Sequence, residues 1–142
     1  MMIGNVVFAW TSPAGRPIHT DAQSTTLVAD TAKSVDVTVP TNKRWLISNI
    51  MIHNGDDQAR TCYVYIYDSN NVLLAILIAD VSLASDGREY WPEEAPPGTN
   101  ALTVAPLILH AGWYLRFRWG APGVASAGGT AYYIVNGVEV DM

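Results

Sequence analysis

The sequence predicts an all-β protein: an antiparallel β-sandwich or jelly roll of roughly eight strands, preceded by an extended N-terminal arm. Three observations predict it. Apolar and polar residues alternate in residues 34–39, where Val35, Val37 and Val39 share one face, and in residues 113–119, where Trp113, Leu115, Phe117 and Trp119 do. Turn residues recur at short intervals, as at Pro40-Thr41-Asn42, Asn54-Gly55, Asp68 to Asn71 and Ala111-Gly112. No stretch holds a helical period through three turns.

Taken in order, residues 1–24 read as the arm and 25–142 as the sandwich domain. The arm has an apolar end (Val6, Val7, Phe8, Trp10) and a polar remainder with two prolines and no period. Such an end is suited to adding a strand to a neighbouring subunit; pairing within its own sheet is the alternative. Residues 34–39, 43–53, 61–68 and 72–80 follow as strands joined by turns, a meander of hairpins. Residues 81–100 hold Asp86, Glu89, Glu93 and Glu94 among prolines and read as a long surface loop. Strands at 101–110, 112–119 and about 130–140 complete the set, with 120–129 a Gly/Ala/Ser loop.

Within 43–53, Leu46, Ile50 and Ile52 are expected to serve one face, and Trp45, Ile47 and Met51 the other. Tyr63, Tyr65 and Tyr67 line one face of the strand at 61–68, opposite Cys62, Val64 and Ile66, while 72–79 (VLLAILIA) is aliphatic on both faces. A sheet face turned to water carries polar side chains, so these strands point to a covering partner. Val6, Val7, Phe8, Trp10, Tyr63, Tyr65 and Tyr67 are therefore the candidate oligomer or partner interface.

Composition narrows the function. Charged residues make up 15% of the chain and hydrophobic ones 49%, against about 25% charged in ordinary soluble domains. No apolar run approaches the roughly 20 residues of a membrane helix, and the N-terminus lacks the basic region of a signal peptide. A net charge of −5 without a basic stripe argues against nucleic acid as a partner. The single cysteine, Cys62, permits no intrachain disulfide and reads as a buried thiol. His19, His53 and His110 fall in no metal-ligand spacing, and no catalytic set or cofactor motif is found. The expectation is a protein that is not an enzyme and holds no metal or cofactor. Tyr90 and Trp91, beside the acids of the long loop, are the one candidate for stacking on a sugar; the alternative is a plug pinning the loop to the sheet.

Two segments carry a resemblance. One is Val39-Pro40, two spacer residues, then Lys43-Arg44-Trp45 opening a strand; the other is Pro106 to Trp113 (PLILHAGW), followed by Leu115-Arg116 and Trp119. Together they resemble small β-sandwich virion proteins of tailed bacteriophages, over about residues 35–135. Asn42 stands where that pattern prefers glycine, a mild departure because Asn tolerates left-handed turns. The resemblance implies a structural role in the virion, as a capsid decoration (cement) protein or a tail or head-tail accessory. It implies a homotrimer with an arm reaching its neighbour, the major capsid protein or other virion proteins as partners, and assembly in the host cytoplasm. A carbohydrate-binding module of a phage particle is the alternative.

Overall fold

The computed structural model describes residues 15–92 and 107–142. They form two antiparallel sheets packed face to face. The strands are β1 (Gly15–Pro17), β2 (Gln23–Leu27), β3 (Lys33–Thr38), β4 (Lys43–His53), β5 (Arg60–Tyr67), β6 (Leu73–Leu83), β7 (Arg88–Trp91), β8 (Leu107–Leu109), β9 (Tyr114–Trp119) and β10 (Gly129–Asp141). The first sheet runs β1-β10-β4-β7, with β2 also on β10 and β8 also on β4; the second runs β3-β9-β5-β6. The all-β sandwich expected from the alternation is thus present. Its core is built from Trp45, Ile47, Ile50, Ile52 and Val135 of the first sheet against Cys62, Val64, Ile66, Leu115, Phe117 and Trp119 of the second.

Three elements differ from the sequence reading. Residues 15–24, assigned there to the arm, supply β1 and the start of β2, both paired with β10; Val6, Val7, Phe8 and Trp10 lie outside the described residues. Within the expected 81–100 loop, Arg88–Trp91 forms β7 on Ile50–His53 of β4, a strand too short to stand out among prolines and acids. β4 also divides its faces differently from expectation. Trp45 and Ile47 point inward, and so do Ile50 and Ile52, leaving Leu46 and Met51 outside. The cause is one extra residue at Ser48, where the register with β10 shifts between Asn136 and Gly137. A bulge of one residue inverts the inside–outside phase of everything beyond it. Gly137 is required there, since a Cβ would stand 2.2 Å from the Leu46 carbonyl oxygen.

At the opening of β4, Asn42 takes a left-handed φ of 60° and Lys43 pairs with Asp141. The segment after Asn54-Gly55 is a buried polar hub rather than a plain turn. Arg60 and Asp56 have side chains fully removed from solvent and pair at 2.5 Å. Arg60 Nη1 donates to the carbonyls of Thr31 (2.6 Å) and Gly120 (3.1 Å), and Nη2 to that of Val28 (2.8 Å). Asp56 accepts from the Gly128 amide, and Asn54 donates to Gln58, Leu83 and Ala84 carbonyls. Gly55 lies so close to Thr130 that a Cβ would overlap its carbonyl oxygen.

Two predictions follow from the hub. Replacing Arg60 by Met leaves a buried carboxylate and three carbonyls without their donor, and should cost about 3–5 kcal/mol in urea unfolding. Desolvation alone would raise the Asp56 carboxyl, but hydrogen bonding with Asp57, Arg60 and Ser126 and the charge of Arg60 outweigh it and hold the group at about 2. A depressed carboxylate adds stability above its unfolded value, so that contribution should vanish as pH falls from about 4 to about 2. Thermal melts across that range should show a steeper loss in the wild type than in Asp56→Asn.

Candidate interaction surface

The outer face of the second sheet is aromatic. Alternation puts Cys62, Val64 and Ile66 in the core and turns Tyr63, Tyr65 and Tyr67 outward. The strand registers extend them into rows: Thr38, Tyr114, Tyr67 and Leu73 form one, and Asp36, Arg116, Tyr65 and Ile76 the next. Tyr63 and Tyr65 stack with ring centroids 4.3 Å apart, and Tyr67 and Tyr114 at 5.2 Å. Arg116 lies over Tyr67 and Tyr114 at 5.0 and 5.4 Å, and Arg118 over Tyr63 at 5.5 Å. The Arg116 guanidinium makes a two-pronged bond to Asp36, both contacts 2.8 Å, which raises its pKa further. Burial raises the Tyr63 and Tyr65 hydroxyls, and the Asp80 carboxylate adds to both, with Tyr65 Oη donating to Asp80 at 3.2 Å. These phenols stay neutral donors through the physiological range.

The three tyrosines singled out in sequence therefore belong to a larger surface that includes Tyr114, Arg116 and Arg118. Strict alternation in residues 113–119 carried that signal, because it placed Tyr114, Arg116 and Arg118 on one side of their strand. Alongside the ladder, Val72, Leu73, Leu74 and Ile76 are 44–54% exposed. β6 departs from regular pairing with β5 near Leu74, Leu77 and Ala79–Asp80. Those irregularities explain a run that reads aliphatic on both faces: Ala75 and Ile78 turn inward, and Leu73 and Ile76 outward. The outer face of the first sheet has its own apolar row of Ile108, Leu46 and Val138.

Tyr90 and Trp91 sit on β7. Trp91, opposite Ile50, packs against the core, while Tyr90, opposite Met51, is on the outer face. The two rings therefore do not share a platform. A cleft of about 540 Å³ opens between β6 and β7, lined by Leu77, Ile78, Ala79 and Val81 on one wall and Glu89 to Pro92 on the other. Of the remaining acids, Asp86 accepts a 2.6 Å contact from buried His53, which lowers its pKa. Glu93 and Glu94 lie outside the described residues. Cys62 is buried, and burial pushes its thiol up to about 12, so it offers no reactive thiolate. His19 accepts from the Val135 amide. Among the described residues no three His, Cys, Asp or Glu side chains gather as a metal site, and no helix is long and apolar enough to cross a membrane.

No protein-family model matches the chain, and no curated relative does. Among solved structures, a chain in the structure of infectious bursal disease virus Gx strain is similar with a TM-score of 0.30 and 12% identity, over 87% of this chain and 35% of that one. A chain of the Gt strain structure gives a TM-score of 0.28 and 11% identity, over 88% and 33%. This chain spans about a third of the length of those two. The likeness is weak and carries no argument about activity or partners.

Proposed function

We propose that this protein is a non-enzymatic structural component of a tailed-bacteriophage virion, a capsid decoration (cement) protein that binds the capsid lattice as a homo-oligomer, a trimer in the reading its sequence resemblance implies. The observation that carries the proposal is the outer face of the second sheet. An antiparallel sheet bordering water carries polar outward residues. Here that face presents Tyr63, Tyr65 and Tyr67 backed by the buried ring of Tyr114, two arginines laid over the rings, and Leu73 and Ile76 beside them. Tyr and Arg are the residue types enriched at the energetic centres of protein interfaces, where rigid rings give contact area at small entropy cost. Mutual stacking holds the ladder in one arrangement before any partner arrives.

The resemblance of the residue 39–45 and 106–119 segments to phage virion proteins supports the location on a particle. Val6, Val7, Phe8 and Trp10 are proposed to extend from the domain to a neighbouring subunit or to the shell. β1, the first described strand, lies at an edge of the first sheet.

Co-sedimentation with purified capsid shells tests the reading. Tyr65→Ala in the centre of the ladder should weaken shell binding by about 30-fold, the scale of a central interface aromatic, with a melting curve close to that of the wild type. Removal of residues 1–14 should also weaken attachment while leaving the fold intact. Binding unchanged by Tyr65→Ala and by Arg118→Glu would remove this face from the function.

A further inference from the structure

The sandwich has two seams at its edge strands. One lies between β6 and β7; the other lies between β3 and β2, which a short loop joins. Each seam carries one charge rooted on the inner side of its sheet. On β3, Lys33 stands opposite Trp119, which is fully buried. On β7, Glu89 stands opposite Ile52, also fully buried. Directly opposed residues of an antiparallel pair share a face, so both charges begin on the inward side, and both are half-buried. The five ion pairs formed among the described residues include neither.

The two charges also stand at one level along the strands. Lys33, Trp119, Cys62 and Val81 make a single row across the second sheet. Gln23, Tyr133, Ile52 and Glu89 make a row across the first. The rows are stacked: Trp119 and Tyr133 meet inside the sandwich with ring centroids 6.3 Å apart, and Val81 and Glu89 line the same cleft. One layer of the domain thus ends in a cation at one seam and an anion at the other.

We infer that copies of this chain associate seam to seam, with Lys33 of one copy entering the β6–β7 cleft of the next and pairing with its Glu89. This deepens the homo-oligomer reading above and rests on it. A displacement along the inter-strand direction, without a shift along the strands, brings the two charges together. The cleft suits the side chain it receives: Leu77, Val81 and Trp91 line a path for an aliphatic stem, and the carboxylate meets the ammonium. Complementary charge is what makes the seam closable, since covering Glu89 with an apolar partner would strand a carboxylate. An inward charge on an edge strand also serves to discourage edge pairing. That role accounts for each charge singly; it does not require opposite signs at matched levels on opposite seams. The contact is heterologous, so it closes into a ring when the rotation between copies allows.

The test uses the full chain. Zero-length carbodiimide coupling of mixed ¹⁴N- and ¹⁵N-labelled protein should yield a Lys33–Glu89 peptide carrying one label of each kind. In sedimentation velocity, Glu89→Lys or Lys33→Glu alone should raise the concentration needed for association by about tenfold or more. The double charge exchange should restore it to within a few-fold. Glu89→Gln serves if the reversal does not fold, and should weaken association less than Glu89→Lys. An oligomer that forms normally with either single reversal, or that the double exchange fails to restore, overturns this contact and leaves the capsid-binding proposal standing. A wild type that stays monomeric at all concentrations overturns both.

Discussion

The buried pair of Asp56 and Arg60 is the constraint on which one end of this sandwich depends. Five backbone groups converge on the hub from segments far apart in the chain: the carbonyls of Val28 and Thr31 between β2 and β3, that of Gly120 after β9, the Gly128 amide before β10, and the Asp56 amide bound to the Asn54 side chain. Each is an obligatory hydrogen-bonding group, and one guanidinium with one carboxylate satisfies most of them. Replacing this pair by hydrocarbon would fill the space but leave those groups unpaired. The loops from β2 to β3 and from β9 to β10 are thereby drawn to the Asn54–Arg60 segment. A charge-poor chain places one of its few ion pairs where no water competes with it.

Much of the architecture was legible in the sequence, and the reason is local. Residues 34–39 and 113–119 alternate because each strand has one face in the core, and the match to β3 and β9 follows directly. Asn42 reads as a left-handed turn residue and is one. Illegible features were those decided by long-range pairing. The Ser48 bulge exists because β10 supplies Gly137 opposite, a fact about a segment some 90 positions away. β7 is a strand because β4 is long enough to hold both it and β8 along one edge. The hub was hidden because Asp56 and Arg60 sit in a stretch whose Asn-Gly start and polar run have the composition of an exposed hairpin turn.

The candidate surface was legible in part for the same reason. Periodicity placed Tyr63, Tyr65 and Tyr67 on a common face. It could not say that Tyr114, Arg116 and Arg118 of β9 would lie beside them, because that depends on β5 and β9 being neighbours in register. Tyr90 and Trp91 show the converse. Adjacency in sequence suggested a joint aromatic site, yet adjacent residues of a strand point to opposite faces, and the structure puts one ring on the core and one outside.

The two sheets divide the molecule's tasks. At the hub end, the Asp56–Arg60 pair and the backbone groups it binds are mutually satisfied. Along the second sheet the balance is reversed: the inner face is complete, while on the outer face Tyr63, Tyr65 and Tyr67 are half covered and stacked on one another or on the buried Tyr114. Stacking hides part of each ring and fixes its rotamer, so the residual exposed area is presented without the entropy cost that loose side chains incur on binding. The irregular β6 edge works in the same direction. Its departures from regular pairing and Asp80 hinder indiscriminate strand addition, even as Leu73 and Ile76 remain exposed beside the ladder. A surface that resists edge pairing yet offers pre-ordered aromatic area favours side-chain recognition over β-augmentation. Pairing through open strand edges would recruit further copies without limit, whereas a face closes when its partner is bound, a preference that suits the lattice role proposed above.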